Sequence, residues 1–325
     1  MVLPQPNAAT AAALPVPDIA DQARSDALAR RVATRIADSG GWIAFDCWMD
    51  MVLYTPGLGY YSGPRSPLGA RGDFVTAPEL SPLFGRAVAQ QVAEWLRAVA
   101  PEGPWRVLEF GAGSGALAAS LLPALAEAGT PLDDYAVMEV SGLLRSQQAA
   151  TIQESAPDAR QVVRWLDALP DCFSGVIIAN EVLDAMPVRL FERAGPRWQE
   201  LGVASDPRGE PVLAPMPAGH ERRMPGALPD PALFAEGYRL EMAEQARDWV
   251  AGLGKVLHRG AVLMFDYGFP AHELFHPQRV GGTLMAHYRH RAHTDLLARP
   301  GLQDITAHVD FSAVEQAVAV AVGVV

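Results

Sequence analysis

The residues with the clearest capacity for chemistry form the turn Glu109-Phe-Gly-Ala-Gly-Ser-Gly115. It lies between the apolar run Trp105-Arg-Val-Leu108 and an Ala/Leu-rich stretch at 116–126. A short apolar run that empties into closely spaced glycines and then into helix formers predicts strand, tight turn, helix. Gly111, Gly113 and Gly115 allow the backbone to turn sharply and let a bulky ligand approach where any Cβ would clash. The helix that follows offers free N–H groups. That is a cradle for a nucleoside cofactor. The same glycines with Ala116 also fit the G-x-G-x-x-G/A pattern of NAD-binding folds, and a ligand-free connecting loop can share the composition.

Spacing separates these readings. Tyr135-Ala-Val-Met-Glu139 reads as the second strand, and its terminal acid lies 30 residues beyond Glu109. In a dinucleotide fold the ribose-binding acid comes about 20 residues after the glycines. The wider gap, with an acid two residues before the first glycine, resembles class I methyltransferases and favours S-adenosyl-L-methionine. Glu139 then accepts hydrogen bonds from the ribose hydroxyls, which a carboxylate at a strand's carboxyl end does well. The plain alternative for Glu139 is a solvated strand end.

These groups need a scaffold, and the rest of the chain reads as one. With 325 residues, half of them hydrophobic, it can bury a full α/β core. No apolar run reaches the roughly 18 residues that span a membrane. Cys47 and Cys172 are the only cysteines, too few for a disulfide framework or a cysteine-rich zinc site, and they point to a reducing compartment. A net charge of −11 without a basic cluster argues against nucleic acid and suits a cationic substrate. Residues 1–17 read as a loose tail and 20–38 as a first helix. Ser81 as N-cap and Pro82 at the first helical position open a helix with Phe84, Val88, Val92, Trp95, Leu96 and Val99 on one face. Further on, 141–152 is helical, 161–165 and 175–180 are the third and fourth strands, and a helix at 238–254 leads to a fifth strand at 261–267. Alternating strand and helix predicts a doubly wound, mostly parallel sheet. Eight prolines between 191 and 235 break the rhythm. Within that stretch 198–204 and 211–216, joined by Asp206-Pro-Arg-Gly209, read as a β-hairpin inserted on the sheet's rim.

The chain is similar to the MidA-like family, which includes the mitochondrial complex I assembly factor that methylates an arginine of a complex I subunit. The similarity rests on Tyr54-Thr-Pro-Gly-Leu-Gly-Tyr-Tyr61, Gly72-Asp-Phe-Val-Thr-Ala-Pro-Glu79, the glycine turn, Asn180-Glu-Val-Leu-Asp-Ala-Met-Pro187, Asp266-Tyr-Gly268 and Gly301-Leu-Gln-Asp-Ile-Thr-Ala-His-Val-Asp310. It implies a class I S-adenosyl-L-methionine methyltransferase fold, Rossmann-like, acting on an arginine of a protein partner. Residues 18–100 would form an extension covering the pocket, 101–190 with 255–325 the cofactor domain, and 191–254 an insertion. Fold alone does not fix the substrate.

Arginine methylation needs a guanidinium held in line with a sulfonium methyl and its charge balanced as it becomes nucleophilic. Carboxylates do both, by bidentate pairing and by favouring proton loss. Asn180, Glu181 and Asp184 leave the carboxyl end of the fourth strand, where open α/β sheets bind ligands. Glu181 is the first choice as guanidinium partner, Asp184 the second, and Asn180 a polar contact; capping of a following helix is the alternative for all three. Asp73, Thr76 and Glu79 are read as a lid over the methionine end of the cofactor, or as a turn that packs the N-terminal segment. Leu166 and Asp167 sit where relatives of the fold contact adenine, and Asp266, Tyr267 and His308 are read as lining the substrate channel.

His272-Glu-Leu-Phe-His276 matches the zinc-protease pattern, but Pro270 and Pro277 bracket it and deny it the long helix that pattern requires. No metal is assigned. His287, His290 and His293, three apart, could share a helical face, and they read better as a partly exposed structural row between arginines. Related chains continue past the helix near Phe311 with strands that complete a seven-stranded sheet, whereas this one stops at Val325. The strand at 261–267 is therefore expected to carry an unpaired edge, inviting association, as in a homodimer, or instability. Other expectations for the chain as a whole are methylation of a small molecule, a noncatalytic assembly role for a retained cofactor fold, and, last, an NAD-dependent oxidoreductase. The setting is bacterial cytoplasm, or mitochondrial matrix in a eukaryote.

Overall fold

The computed structural model describes residues 14–65, 76–226 and 228–321. They fall into two compact units. One is drawn from Pro64–Val182, Val250–Asp266 and Val318–Val325, the other from Met1–Gly63, Leu183–Trp249 and Tyr267–Ala317.

The first unit holds five parallel strands: β1 (Arg106–Phe110), β2 (Asp134–Met138), β3 (Val163–Leu166), β4 (Phe173–Asn180) and β5 (Leu257–Phe265). Val107, Leu108, Val137, Val176, Ile177, Ile178 and Ala179 are completely buried, the near-continuous apolar run expected of strands covered on both faces. Helix α1 (Pro82–Val99) starts as predicted, with Leu83 N–H donating to Ser81 Oγ at 3.2 Å and Pro82 in its first turn. It packs Val88, Val92 and Leu96 into one core with Leu117, Leu121 and Leu125 of α2 (Ala116–Glu127). Helix α3 (Gly142–Ser155) is capped by Ser141, whose Oγ accepts from Leu144.

The strand order is β5-β4-β1-β2-β3. The chain winds outward through β1, β2 and β3, then crosses back to lay β4 on the other side of β1. Strands β1 and β4 therefore flank the switch point of a doubly wound sheet, the place where such sheets bind ligands. Among the described residues β5 is hydrogen-bonded only to β4, leaving the open edge that the sequence predicts.

The second unit is built on an antiparallel sheet of Trp42–Ala44, Arg189–Ala194, Arg197–Ser205, Pro211–Pro215 and Arg239–Met242. The hairpin between Arg197–Ser205 and Pro211–Pro215 forms, but it belongs to this separate sheet and not to the rim of the parallel one. Burial explains why: Ile43, Phe191, Leu201, Val203 and Leu240 supply an apolar face of their own. Arg239–Met242, expected as the start of a helix, is a strand paired with Arg189–Glu192, and the helix begins only at Glu244. Helix-forming side chains yield there to a pairing that buries Leu240 and Met242. The histidine row is likewise not helical. Met285–Tyr288 and Arg291–His293 form a hairpin whose turn residues Arg289 and His290 are left-handed, and His293 is completely buried. A single helical turn, Ala271–Leu274, lies between Pro270 and Pro277.

An ionic lattice crosses this antiparallel sheet. Arg189 donates to both oxygens of Glu200, at 3.0 and 2.6 Å, and to Glu244 at 2.7 Å. Arg222 donates to Glu200 at 2.7 Å and grips Asp46 with two bonds, at 3.0 and 2.6 Å. Arg189 and Glu200 are buried. Among the described residues of the whole chain, no helix is long and apolar enough to cross a membrane.

Candidate active site

Gly111, Gly113 and Gly115 all adopt left-handed backbone, with φ of 59°, 54° and 85°. A side chain in that conformation is strained. The turn is pinned by Gly111 N–H to Met138 C=O at 3.0 Å and Gly115 N–H to Ala112 C=O at 2.8 Å. A Cβ on Gly115 would lie 3.0 Å from the Gln148 backbone, and one on Gly111 would touch Val182 just beyond β4. Both sides of the switch point thus meet at bare main chain, and α2 starts directly behind it.

Two acids border this turn. Glu109 is buried under it and accepts a 2.6 Å bond from the Tyr135 hydroxyl. Burial pushes its carboxyl up to about 7, against the Tyr135 bond and with help from the charge of Glu139. Glu139, 6% exposed, accepts from Ser141 N–H at 2.9 Å with one oxygen and from Gln148 Nε2 at 2.9 Å with the other. Burial raises its carboxyl too, while the bonds from Ser141 and Gln148 act against that. The Val140 backbone donates to this carboxylate as well, and a carboxylate's roughly four acceptor sites leave room for a further donor. Among the described residues no cationic side chain hydrogen-bonds either carboxylate.

Leu166 ends β3, Asp167 follows it, and both are tied to Arg145 of α3. That guanidinium donates to the Leu166 carbonyl at 2.9 Å, to Asp167 at 2.7 Å and to the Glu139 carbonyl at 2.8 Å, clipping the ends of β2 and β3 together. The Asp167 carboxylate is 90% exposed. Glycines that a Cβ would fill, an acid with open lone pairs at the end of β2 and a clipped strand end after β3 fit a nucleoside with a vicinal diol.

A second group gathers at the carboxyl ends of β4 and β5. Glu181 has φ of 53°, a left-handed conformation uncommon for a residue with a side chain, and its N–H donates to Phe265 C=O at 2.8 Å. Its carboxylate accepts from the Ala77 backbone and the Asn180 side chain. Burial, then the charges of Asp266 and Glu79, raise its pKa above the usual carboxylate range. Thr76 N–H donates to Glu79 at 3.3 Å. The capping alternative fails for Asn180, Glu181 and Asp184, because no helix follows β4; the chain turns through 181–186 and enters the strand at Arg189. Asp73 lies outside the described residues.

Asp184, Tyr267 and His308 belong to the other unit and are neighbours within it. Asp184 C=O accepts from Ala307 N–H at 2.9 Å, and Tyr267 C=O from Val309 N–H at 2.8 Å. The His308 ring packs on Phe269, and burial followed by the charge of Arg279 lowers its pKa. Tyr267 is exposed. Sequence reasoning missed Tyr135, Arg145 and Gln148. The reach of Tyr135 to Glu109 follows from strand pairing, where Tyr135 pairs with Val107 and Val137 with Glu109, so the phenol crosses on the diagonal. Gln148 carries no signal, since a glutamine inside a helix reads as surface.

The chain is similar to known proteins over most of its length. Residues 87–325 match the family described as "Putative S-adenosyl-L-methionine-dependent methyltransferase". A crystal structure from Burkholderia thailandensis bound to S-adenosyl-homocysteine is 49% identical, with a TM-score of 0.88, covering 95% of this chain and 80% of that one. The mouse protein named "Protein arginine methyltransferase NDUFAF7, mitochondrial" is 32% identical over 302 residues, 84% of this chain, and the chain spans 66% of its length. Its Caenorhabditis elegans homologue is 27% identical, covering 91% of this chain and 72% of that protein. A left-handed glycine cradle at the switch point, an acid at the end of β2 and a family match over most of the sequence lead to one assignment: the chain belongs to this family of S-adenosyl-L-methionine-dependent methyltransferases.

Proposed function

We propose that the chain methylates a guanidino nitrogen of an arginine presented by a partner protein. The observation that carries this reading is the grouping of Glu79, Glu181 and Asp266, three acids close enough for Glu79 and Asp266 to raise the pKa of Glu181. Like charges held together favour a cation between them, and a planar guanidinium pairs with carboxylates through two parallel bonds. The names of the mitochondrial relatives, protein arginine methyltransferases, support it.

Gly111, Gly113 and Gly115 would hold the cofactor's backbone-facing side, Glu139 its ribose and Leu166 with Asp167 its adenine. Bound there, S-adenosyl-L-methionine supplies a methyl group on a cationic sulfur, open to displacement by nitrogen. Glu181 takes the guanidinium proton at its carboxylate, and Asn180 holds that carboxylate in place. Asp266 and Glu79 balance the substrate's charge, and raised basicity suits Glu181 to its role. Residues 76–79 serve the cofactor's methionine end. The free thiols Cys47 and Cys172 suit a cytoplasmic or matrix setting.

The test is Glu181→Gln. Methyl transfer to an arginine peptide, followed by mass spectrometry, falls about 10²-fold or more while cofactor affinity stays within about twofold. In the parent chain kcat rises with pH as the Glu181 carboxyl ionises, above the usual carboxylate range. Full activity of the variant, or methyl groups found only on other residue types, overturns the reading.

A further inference from the structure

We infer that Gln148 is a positioning residue for cofactor binding, its amide held in one orientation by Trp165 so that it aims Glu139 and fixes the glycine turn together. This rests on the reading of Glu139 as the ribose acceptor.

Gln148 is completely buried. Its Oε1 accepts from the Trp165 indole at 2.7 Å, while its Nε2 donates to Glu139 Oε2 at 2.9 Å and to the Gly113 carbonyl at 3.0 Å. Every partner dictates the same orientation. An indole N–H can only donate, so the amide oxygen must face it; a carboxylate and a carbonyl can only accept, so the NH₂ must face them. Rotating the amide by half a turn would set two donors against each other on one side and oxygen against two acceptors on the other. One side chain on α3 therefore joins the turn after β1, the acid after β2 and a ring from β3. Gly115 allows this approach, because a Cβ there would strike the Gln148 backbone.

The geometry separates this role from mere packing. A glutamate has the same shape but donates only when protonated. Glu139, Glu109, Arg145 and, through Arg145, Asp167 are the charged groups around the site, and measuring the parent chain at each pH accounts for their own titration.

The experiment is calorimetric titration of S-adenosyl-homocysteine into the parent chain, Gln148→Leu, Gln148→Glu and Trp165→Phe, at pH 5.5 and pH 9. Gln148→Leu should bind about tenfold more weakly at both pH values. Gln148→Glu should bind more tightly than Gln148→Leu at pH 5.5, where the introduced carboxyl has one proton to donate against the amide's two, and fall to the level of Gln148→Leu or below it at pH 9. Trp165→Phe, which frees the amide to rotate, should lose a few-fold in affinity. Gln148→Glu tracking Gln148→Leu at both pH values overturns the proposal, as does Gln148→Leu binding like the parent. If the Gln148 variants do not fold, Trp165→Phe decides, and unchanged affinity overturns the proposal. Failure of the parent chain itself to bind would instead overturn the assignment of the Glu139 site.

Discussion

The molecule buries acids in two different ways. In the antiparallel sheet, Glu200 lies between two arginines, with Arg189 and Arg222 filling its lone pairs and Asp46 and Glu244 extending the lattice. Beside the glycine turn, Glu109 and Glu139 are as well buried, yet a phenol, backbone N–H groups and an amide are what hydrogen-bond their carboxylates, and Arg145 reaches the Glu139 carboxylate only through its charge. Burying an ion without a counter-ion raises a carboxyl's pKa and lowers stability, so such a site is kept for something other than holding the fold. The paired acids build architecture. The others, with no arginine bonded to their carboxylates, border the glycine turn.

Three substitutions can break or sharpen that contrast. The largest effect is expected from Arg189→Leu, which strands Glu200 without its bidentate partner and should cost about 3–5 kcal/mol in denaturant unfolding. Glu139→Gln should act the other way round. It should weaken S-adenosyl-homocysteine binding about tenfold, measured by calorimetry, and lower Tm by a few degrees at most, since the amide oxygen still accepts from one of the two donors, Ser141 and Gln148. An unstable Glu139→Gln, or an Arg189→Leu that folds normally, would erase the distinction. The smallest effect concerns Glu109. Its carboxyl, pushed up to about 7 from 4.5, keeps its proton in the folded chain where the unfolded chain has lost it. The associated stability is full below pH 4.5 and lost as pH rises to about 7. Glu109→Gln, whose oxygen can still accept from Tyr135, removes that loss, so its Tm should exceed the parent's by a few degrees at pH 8 and by little at pH 4.5. A pH-independent difference would place the Glu109 proton elsewhere.

What the sequence announced and what it hid divide along the same line. The five parallel strands were readable because each is a short apolar run next to a turn signal, and the glycines because they adopt left-handed backbone without the strain a side chain brings. The acids at the ends of β1, β2 and β4 were readable as candidates because open α/β sheets bind ligands at the carboxyl ends of their strands. Gln148 was not, since its three partners come from three separate strands and their loops, and no local pattern encodes their meeting. Arg239–Met242 misled for a related reason. Its residues favour helix, and only pairing with Arg189–Glu192 turns them into a strand. The turn after β4 resembles a helix start because acids there suit a helix dipole, whereas left-handed Glu181 sends the chain elsewhere.

The order of the parallel strands also bears on how the chain is made. Strands β4 and β5 are paired residue for residue from Gly260↔Gly175 to Phe265↔Asn180, yet residues 181–256 lie between them in sequence. At a ribosome adding roughly 5–20 residues per second, those 76 residues take about 4–15 seconds to emerge. Throughout that interval one flank of β4, an uncharged ribbon of Val176, Ile177, Ile178 and Ala179, has no neighbour to hydrogen-bond, and nascent chains would be open to mispairing until β5 arrives.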